Sequence, residues 1–266
     1  MKHVFSKQNR ALLSELVRTD FKLRYQGSIL GYTWSVLRPL FLFLILYIVF
    51  VKFLRLGGDV PHFPIYLLLG IVLWTFFSDL TSQGLGSIVG RGDLIRKIRI
   101  PRWIIVLSTS ISAMINLGIN LLVVFVFMIF NKVDLLETSL WLPLIILEIF
   151  LLGLGLALYL SAAFVKYRDI SYIWEIILQA GFYVTPILYP LTLITNVDYQ
   201  KILLLNPMAQ AIQDARYALV THETITMNQV FTFTYPRIIP LGITLFVLFF
   251  GVWYFRREAK GFAENL

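Results

Sequence analysis

Apolar residues in this chain come in long runs, broken by short stretches in which cations gather. Runs at residues 34–53, 63–83, 103–130, 140–165, 170–189 and 238–255 approach or exceed the ~20 residues that cross a ~30 Å hydrocarbon layer. No water is present there to bond an exposed backbone, so runs of this length read as helices. Six spanning helices are predicted, the long third and fourth tilted or extending beyond the bilayer. Two segments do not fit that scheme. Between Ser6 and Arg24, Leu12, Leu13, Leu16, Val17 and Phe21 fall on one helical stripe, with Lys7, Arg10, Arg18 and Lys22 on other faces. That is the pattern of an amphipathic helix lying in the membrane interface, here within residues 1–30. Residues 191–222 are still rich in Leu, Ile and Ala, but Pro186 and Pro190 in TPILYP are expected to break the fifth helix near its outer end. Asn206–Pro207 reads as an N-cap and first-turn proline opening a helix of about 13 residues, too short to span and so re-entrant or interfacial.

The positions of the cations give the chain an orientation. Arg38 and the cations ahead of it, the block GRGDLIRKIRIPRW, Lys166 with Arg168, and Arg256, Arg257 and Lys260 all fall on one side of the six spans. Lys52, Arg55, Lys132, Lys201, Arg216 and Arg237 fall on the other. The positive-inside rule puts both termini and the basic block in the cytoplasm. Within that block Asp93 can cap a short helix in which Leu94, Ile95 and Ile98 alternate with Arg96, Lys97 and Arg99. Pro101 ends it and opens the third span beside Arg102. Such a rod can lie on lipid or enter a cleft on a partner.

Composition narrows the function. With 58% apolar and 14% charged residues in 266, the solvent for most of the surface is lipid. The net charge of +8 does not point to nucleic acid, because the cations sit at the ends of apolar runs. The opening residues are polar for too long to form a cleavable signal, so the first span is expected to act as its own insertion signal. There is no cysteine, no GxxxxGK[ST], no HExxH and no GxSxG, and the three histidines are scattered. No bound cofactor or metal and no catalytic residue is expected in this chain, so it is not read as an enzyme.

RYQGSILGYTWSVLRPL, RKIRIPRWIIVLS, KYRDI, TPILYP and the NPM at Asn206 occur in that order. Together they resemble the membrane subunits of ATP-binding-cassette exporters for polysaccharides and polyols, closer to the O-antigen type than to the teichoic acid type. The resemblance covers nearly the whole chain. It implies an all-α permease of the bacterial inner membrane that works as a homodimer, with two copies of a cytoplasmic ATPase holding ATP and Mg. It also implies that residues 90–102 form a coupling helix. Asp93, Leu94, Ile95, Arg96, Lys97, Ile98, Arg99 and Arg102 would then dock on the ATPase, and residues 191–222 would form external gate helices. The implied cargo is a lipid-linked polysaccharide.

A path for such a cargo has candidates. Tyr172, Glu175, Gln179, Phe182 and Tyr183 share one face of the fifth helix. Aromatic rings stack on the C–H faces of sugars, while amides and phenols exchange hydrogen bonds with hydroxyls. A packed seam between helices would look the same. On the first span Trp34, Arg38 and Phe41 share one face and Phe43, Tyr47 and Phe50 the opposite one, without saying which meets a channel. Ser112, Asn116 and Asn120 are expected to bond a neighbouring helix. Glu148 has no evident partner. A capsular or teichoic polymer remains open as the cargo. So do an ion-coupled carrier using Asp79, Glu148 and Glu175 as a relay, and an intramembrane transferase.

Overall fold

The computed structural model describes residues 7–25, 30–55, 60–97, 100–134 and 137–262. Among them the fold is helical, with no strand. In chain order the helices are α1 (Lys7–Tyr25), α2 (Trp34–Leu46, continued as a π-helical stretch Tyr47–Phe53), α3 (Phe63–Ser87), α4 (Gly92–Lys97) and α5 (Trp103–Phe130). They are followed by α6 (Leu142–Lys166), α7 (Ile170–Val184), α8 (Val197–Leu204), α9 (Pro207–Leu219), α10 (Met227–Val230) and α11 (Ile238–Glu258).

Among the described residues, five helical stretches are long and apolar enough to cross a membrane: Trp34–Phe53, Phe63–Ser87, Trp103–Phe130, Glu137–Lys166 and Ile238–Gly261. The predicted fifth span of residues 170–189 is shorter than expected. Its helix stops at Val184 after 15 residues, about 22 Å at 1.5 Å per residue, so it does not cross a ~30 Å layer as helix alone. The cause is local. Thr185 precedes Pro186 and is forced out of the helical region, to φ −70° and ψ 135°.

Helix α3 is the hub. Its apolar residues run around its whole circumference, and α2, α5, α6, α7 and α9 all pack on it. A helix apolar on every side belongs inside a bundle. Pro39 lies inside α2 and has no N–H to give Ser35, one turn back. The Asn120 amide of α5 donates to that Ser35 carbonyl at 3.2 Å, so the proline's missing bond is replaced from the neighbouring helix. Asn120 thus makes the interhelical bond expected of it, whereas Ser112 bonds within α5, to the Ser108 carbonyl.

Helices α6 and α11 approach backbone to backbone. A Cβ on Gly155 would lie 2.6 Å from the Leu248 Cα, and one on Gly251 would run into the Gly155 carbonyl oxygen. Small residues permit this approach, and in lipid such close packing is what holds helices together. Gly251→Leu is expected to part α6 from α11 and cost about 1–3 kcal/mol. The loss would be read as a lower melting temperature in micelles. Gly242→Leu, where a side chain meets open space, should leave that temperature unchanged.

Candidate functional site

Helix α7 is held along one narrow edge. Only Trp174 and Leu178 are buried on it. The Trp174 indole donates to Thr81 of α3 at 3.1 Å, and its ring meets Phe77 edge-on at 6.5 Å. A turn and more along, Phe182 meets Trp74 at 6.2 Å, and Gly181 leaves room for that indole, which a Cβ would approach to 2.8 Å. Aromatic pairs of this kind contribute about 0.5–1.5 kcal/mol each beyond burial.

This seating opens a groove of about 650 Å³ between α2, α3 and α7. Glu175, Gln179, Phe182 and Tyr183 line it from α7, Ser78, Asp79 and Ser82 from α3, and Arg38 from α2. Arg38 and Asp79 also border a second cavity of about 370 Å³, lined by Trp34, Gln83, Asn116 and Asn120. Four of the five α7 residues proposed from sequence therefore share one groove with Arg38, and Trp34 adjoins it. Tyr172 is exposed on α7 but does not line the groove. Phe41 does not join Trp34 and Arg38. It lies with Phe43 and Tyr47 in a separate cleft, on the ridge Leu37–Phe41–Leu44, whose three- and four-residue steps keep one face.

The far end of α7 is fixed by a residue that sequence reading passed over as a solvent-side cation. Arg216 of α9 is fully buried. It donates to the carbonyls of Tyr66 at 3.0 Å, Pro186 at 2.5 Å and Ile187 at 2.7 Å, and to the Gln213 side chain at 2.9 Å. Its guanidinium lies 3.6 Å from the centre of the Tyr66 ring, whose hydroxyl donates to the same Gln213 oxygen. Gly70 makes the approach possible, since a Cβ there would come within 2.5 Å of Nη2. Helix α9 begins where predicted, with Asn206 accepting from the Met208 N–H. It is also tied to the start of α11 by a two-pronged ion pair, in which Arg237 meets both Asp214 oxygens at 3.0 Å. Glu148 of α6 lines the adjoining cleft with Gln210, Asp214 and Arg237, which gives it a polar setting. The signal for Arg216 was a lone cation between alanines in a short amphipathic helix, and its carbonyl partners are far away in sequence.

At the opposite, basic end, Ile95 of α4 is buried in the core while Asp93, Arg96 and Lys97 are exposed and Leu94 is half-buried. Ile98 and Arg99 lie outside the described residues. Arg91, just before α4, forms an ion pair with Asp20 of α1 and donates to Ser108 of α5 at 3.2 Å. The Ser108 hydroxyl lies 3.2 Å from Asp20 in turn. Burial draws the Arg91 guanidinium below its ordinary pKa, and arginine still stays charged. In α1 Leu16 is buried, Leu12, Leu13 and Val17 are half-buried, and Lys7, Arg10, Arg18 and Lys22 are exposed, as predicted for these residues, while the Phe21 side chain lies outside the described ones. Arg102 is set over the Phe262 ring.

Membrane-length helices around a polar, aromatic groove, with a cationic rod keyed into one end, define an integral membrane transport protein. The chain belongs to the ABC-2 type transporter family, whose pattern matches residues 11–220. It is 27% identical over 261 residues to the O-antigen export system permease protein RfbA of Myxococcus xanthus, covering 97% of this chain and 96% of that protein. It is 28% identical over 258 residues to RfbA of Klebsiella pneumoniae, covering 96% and 95%. It is 22% identical over 242 residues to the polysialic acid transport protein KpsM of Escherichia coli, covering 89% and 93%.

Arg216→Met is expected to orphan the carbonyls after α7 and cost about 2–6 kcal/mol, about 1–3 for each of the two. Arg216→Lys restores a charge without the fork and should recover only part of it. Thermal unfolding in micelles reads both, and an unshifted Arg216→Met would contradict the role given to this residue.

Proposed function

We propose that this chain is the membrane subunit of an exporter that carries a lipid-linked polysaccharide outward across the inner membrane. In this reading two copies pair, and two copies of a separate cytoplasmic ATPase supply the energy. Full-length similarity to permeases named for O-antigen export favours an O-antigen-like cargo.

The observation that carries this reading is the groove of α2, α3 and α7. Its Glu175, Gln179 and Tyr183 side chains lie on a helix with little protein around it, and Tyr183 is 64% exposed. Polar side chains facing lipid are costly, so a helix that keeps them faces water, cargo or a second copy. A cavity of about 650 Å³ lies in the ~300–1,000 Å³ range of small-molecule sites. It is too small for a polymer and its lipid together. Two such grooves facing across a two-fold axis would make a larger path with the aromatic and amide chemistry that sugars accept.

The same reading gives the basic end its task. Its four segments are α4, the turn before it, α1 and the start of α5. An ATPase pressing on Arg96 and Lys97 would push on Ile95 in the core and, through Pro101, on α5. A short helix whose apolar face is keyed into the core passes displacement on to that core. In this scheme both termini are cytoplasmic, and α8 and α9 form the outer gate, with ATP and Mg held by the partner.

Arg96→Glu combined with Lys97→Glu tests the docking directly. Pull-down of the co-expressed ATPase is expected to fall at least about tenfold, with membrane insertion unchanged, because reversed charges leave unpaired like charges at the interface. Unchanged co-purification would contradict docking through α4.

A further inference from the structure

A second large cavity lies on the basic end, away from the α7 groove. It measures about 780 Å³ and is bounded by Ile95 of α4, by the start of α5, by α6 and by the end of α11. Helices α5 and α11 both pack on α6, and the cleft lies between them. Its walls are apolar: Ile100, Leu107, Leu154, Leu158, Val252 and Phe255. Two cations, Arg102 and Arg256, and the Trp103 ring stand with them.

The distribution of these residues along the helices selects the occupant. Lys166 ends α6 at the basic face, and Leu154 lies three turns inside it, about 18 Å deep at about 1.5 Å per residue. The cations come from the helix ends: Arg102 immediately precedes α5, and Arg256 is in the last turn of α11. A cleft that is apolar at depth and cationic at the boundary has the profile of an acyl chain beneath a phosphate. Guanidinium forks bind phosphate oxygens in pairs. Arg102 is set over the Phe262 ring at 5.7 Å, which restricts its side chain. Basic clefts between spanning helices are known to hold anionic headgroups. A soluble protein would have to send side chains past three helical turns to fill the same space.

We propose that this cleft is a binding site for an anionic phospholipid, with its phosphate on Arg102 and Arg256 and one acyl chain against Leu154 and Leu158. The lipid would touch Ile95, Ile100 and Pro101, the residues that seat α4 and open α5. Its presence or absence then sets how firmly the basic rod is held, so anionic lipid content would tune the protein through this cleft. The inference needs the membrane setting only and does not depend on which cargo is carried.

The test uses the full chain purified in detergent and titrated with phosphatidylglycerol or with phosphatidylcholine of the same acyl chains, retention being read by native mass spectrometry. Phosphatidylglycerol is expected to be retained selectively. Arg102→Gln with Arg256→Gln should weaken retention about thirtyfold, from about 1 kcal/mol per cation removed. Leu158→Trp, which fills the cleft and keeps both cations, should weaken it as well, with melting temperatures confirming that each variant folds. Arg102→Lys, which keeps the charge and loses the fork, should keep only part of the retention. A large excess of inorganic phosphate should not displace the lipid. Equal retention of the two lipids, displacement by phosphate, or undiminished retention in both cleft variants would each overturn the proposal. So would a photo-crosslinker at Leu154 that traps a polypeptide in place of lipid.

Discussion

A chain that stops being helical inside a membrane must find donors for the carbonyls it frees, and here one side chain supplies them. Helix α7 ends at Val184 because Pro186 follows Thr185, and the Pro186 and Ile187 carbonyls turn inward with no helical N–H to meet them. Arg216 meets both and also bonds Tyr66 of the central helix, so the break in α7, the short helix α9 and the hub α3 are joined at one guanidinium. Its hydrogen-bond partners are neutral carbonyl oxygens. The charge is stabilised by dipoles and by the Tyr66 ring instead of a carboxylate. Pro39 and Asn120 repeat the device on a smaller scale, with an amide replacing the bond a proline cannot make.

That joint decides where the polar face of α7 points. Arg216 fixes the end of α7, and the rings of Trp74, Phe77, Trp174 and Phe182 fix its length. What remains is Glu175, Gln179 and Tyr183 on a groove with Arg38. The basic end follows the same economy of attachment. Ile95 keys α4 into the core, and the Arg91–Asp20 pair, with Ser108, binds α1, the α4 approach and α5 into one piece. Groove and rod are thus set on one continuous helical core, built from α3, α5 and α6.

Much of this was legible in the sequence, and the residues show why. The span predicted at 103–130 is helix α5 from Trp103 to Phe130, because nothing but apolar periodicity decides it. Asn206–Pro207 marked the start of α9 through chemistry confined to neighbouring residues. The α1 stripe was likewise local. The early end of α7 was less visible: two prolines were read as breaking the helix near its end, while the restriction acts one residue before the first of them. Phe41 shares a helical face with Trp34 and Arg38, but it borders a different cleft, because neighbouring helices decide which space each side chain meets. Arg216 and Arg237 were read only as cations of the outer side, and Asp214 was not singled out. Their meaning lies in partners 20 to 150 residues away, which no pattern along the chain encodes.

The central claim is that the polar face of α7 meets a second copy of the chain instead of lipid. Having no cysteine, the protein accepts single ones cleanly. The most direct measurement places them at Glu175, Gln179 and Tyr183 on α7, and at Phe246 and Phe249 on the exposed side of α11, and treats native membranes with a short bismaleimide. The account expects covalent dimers from the α7 positions and none from α11. Dimers from α11 alone, with α7 labelled only as monomer, would contradict it.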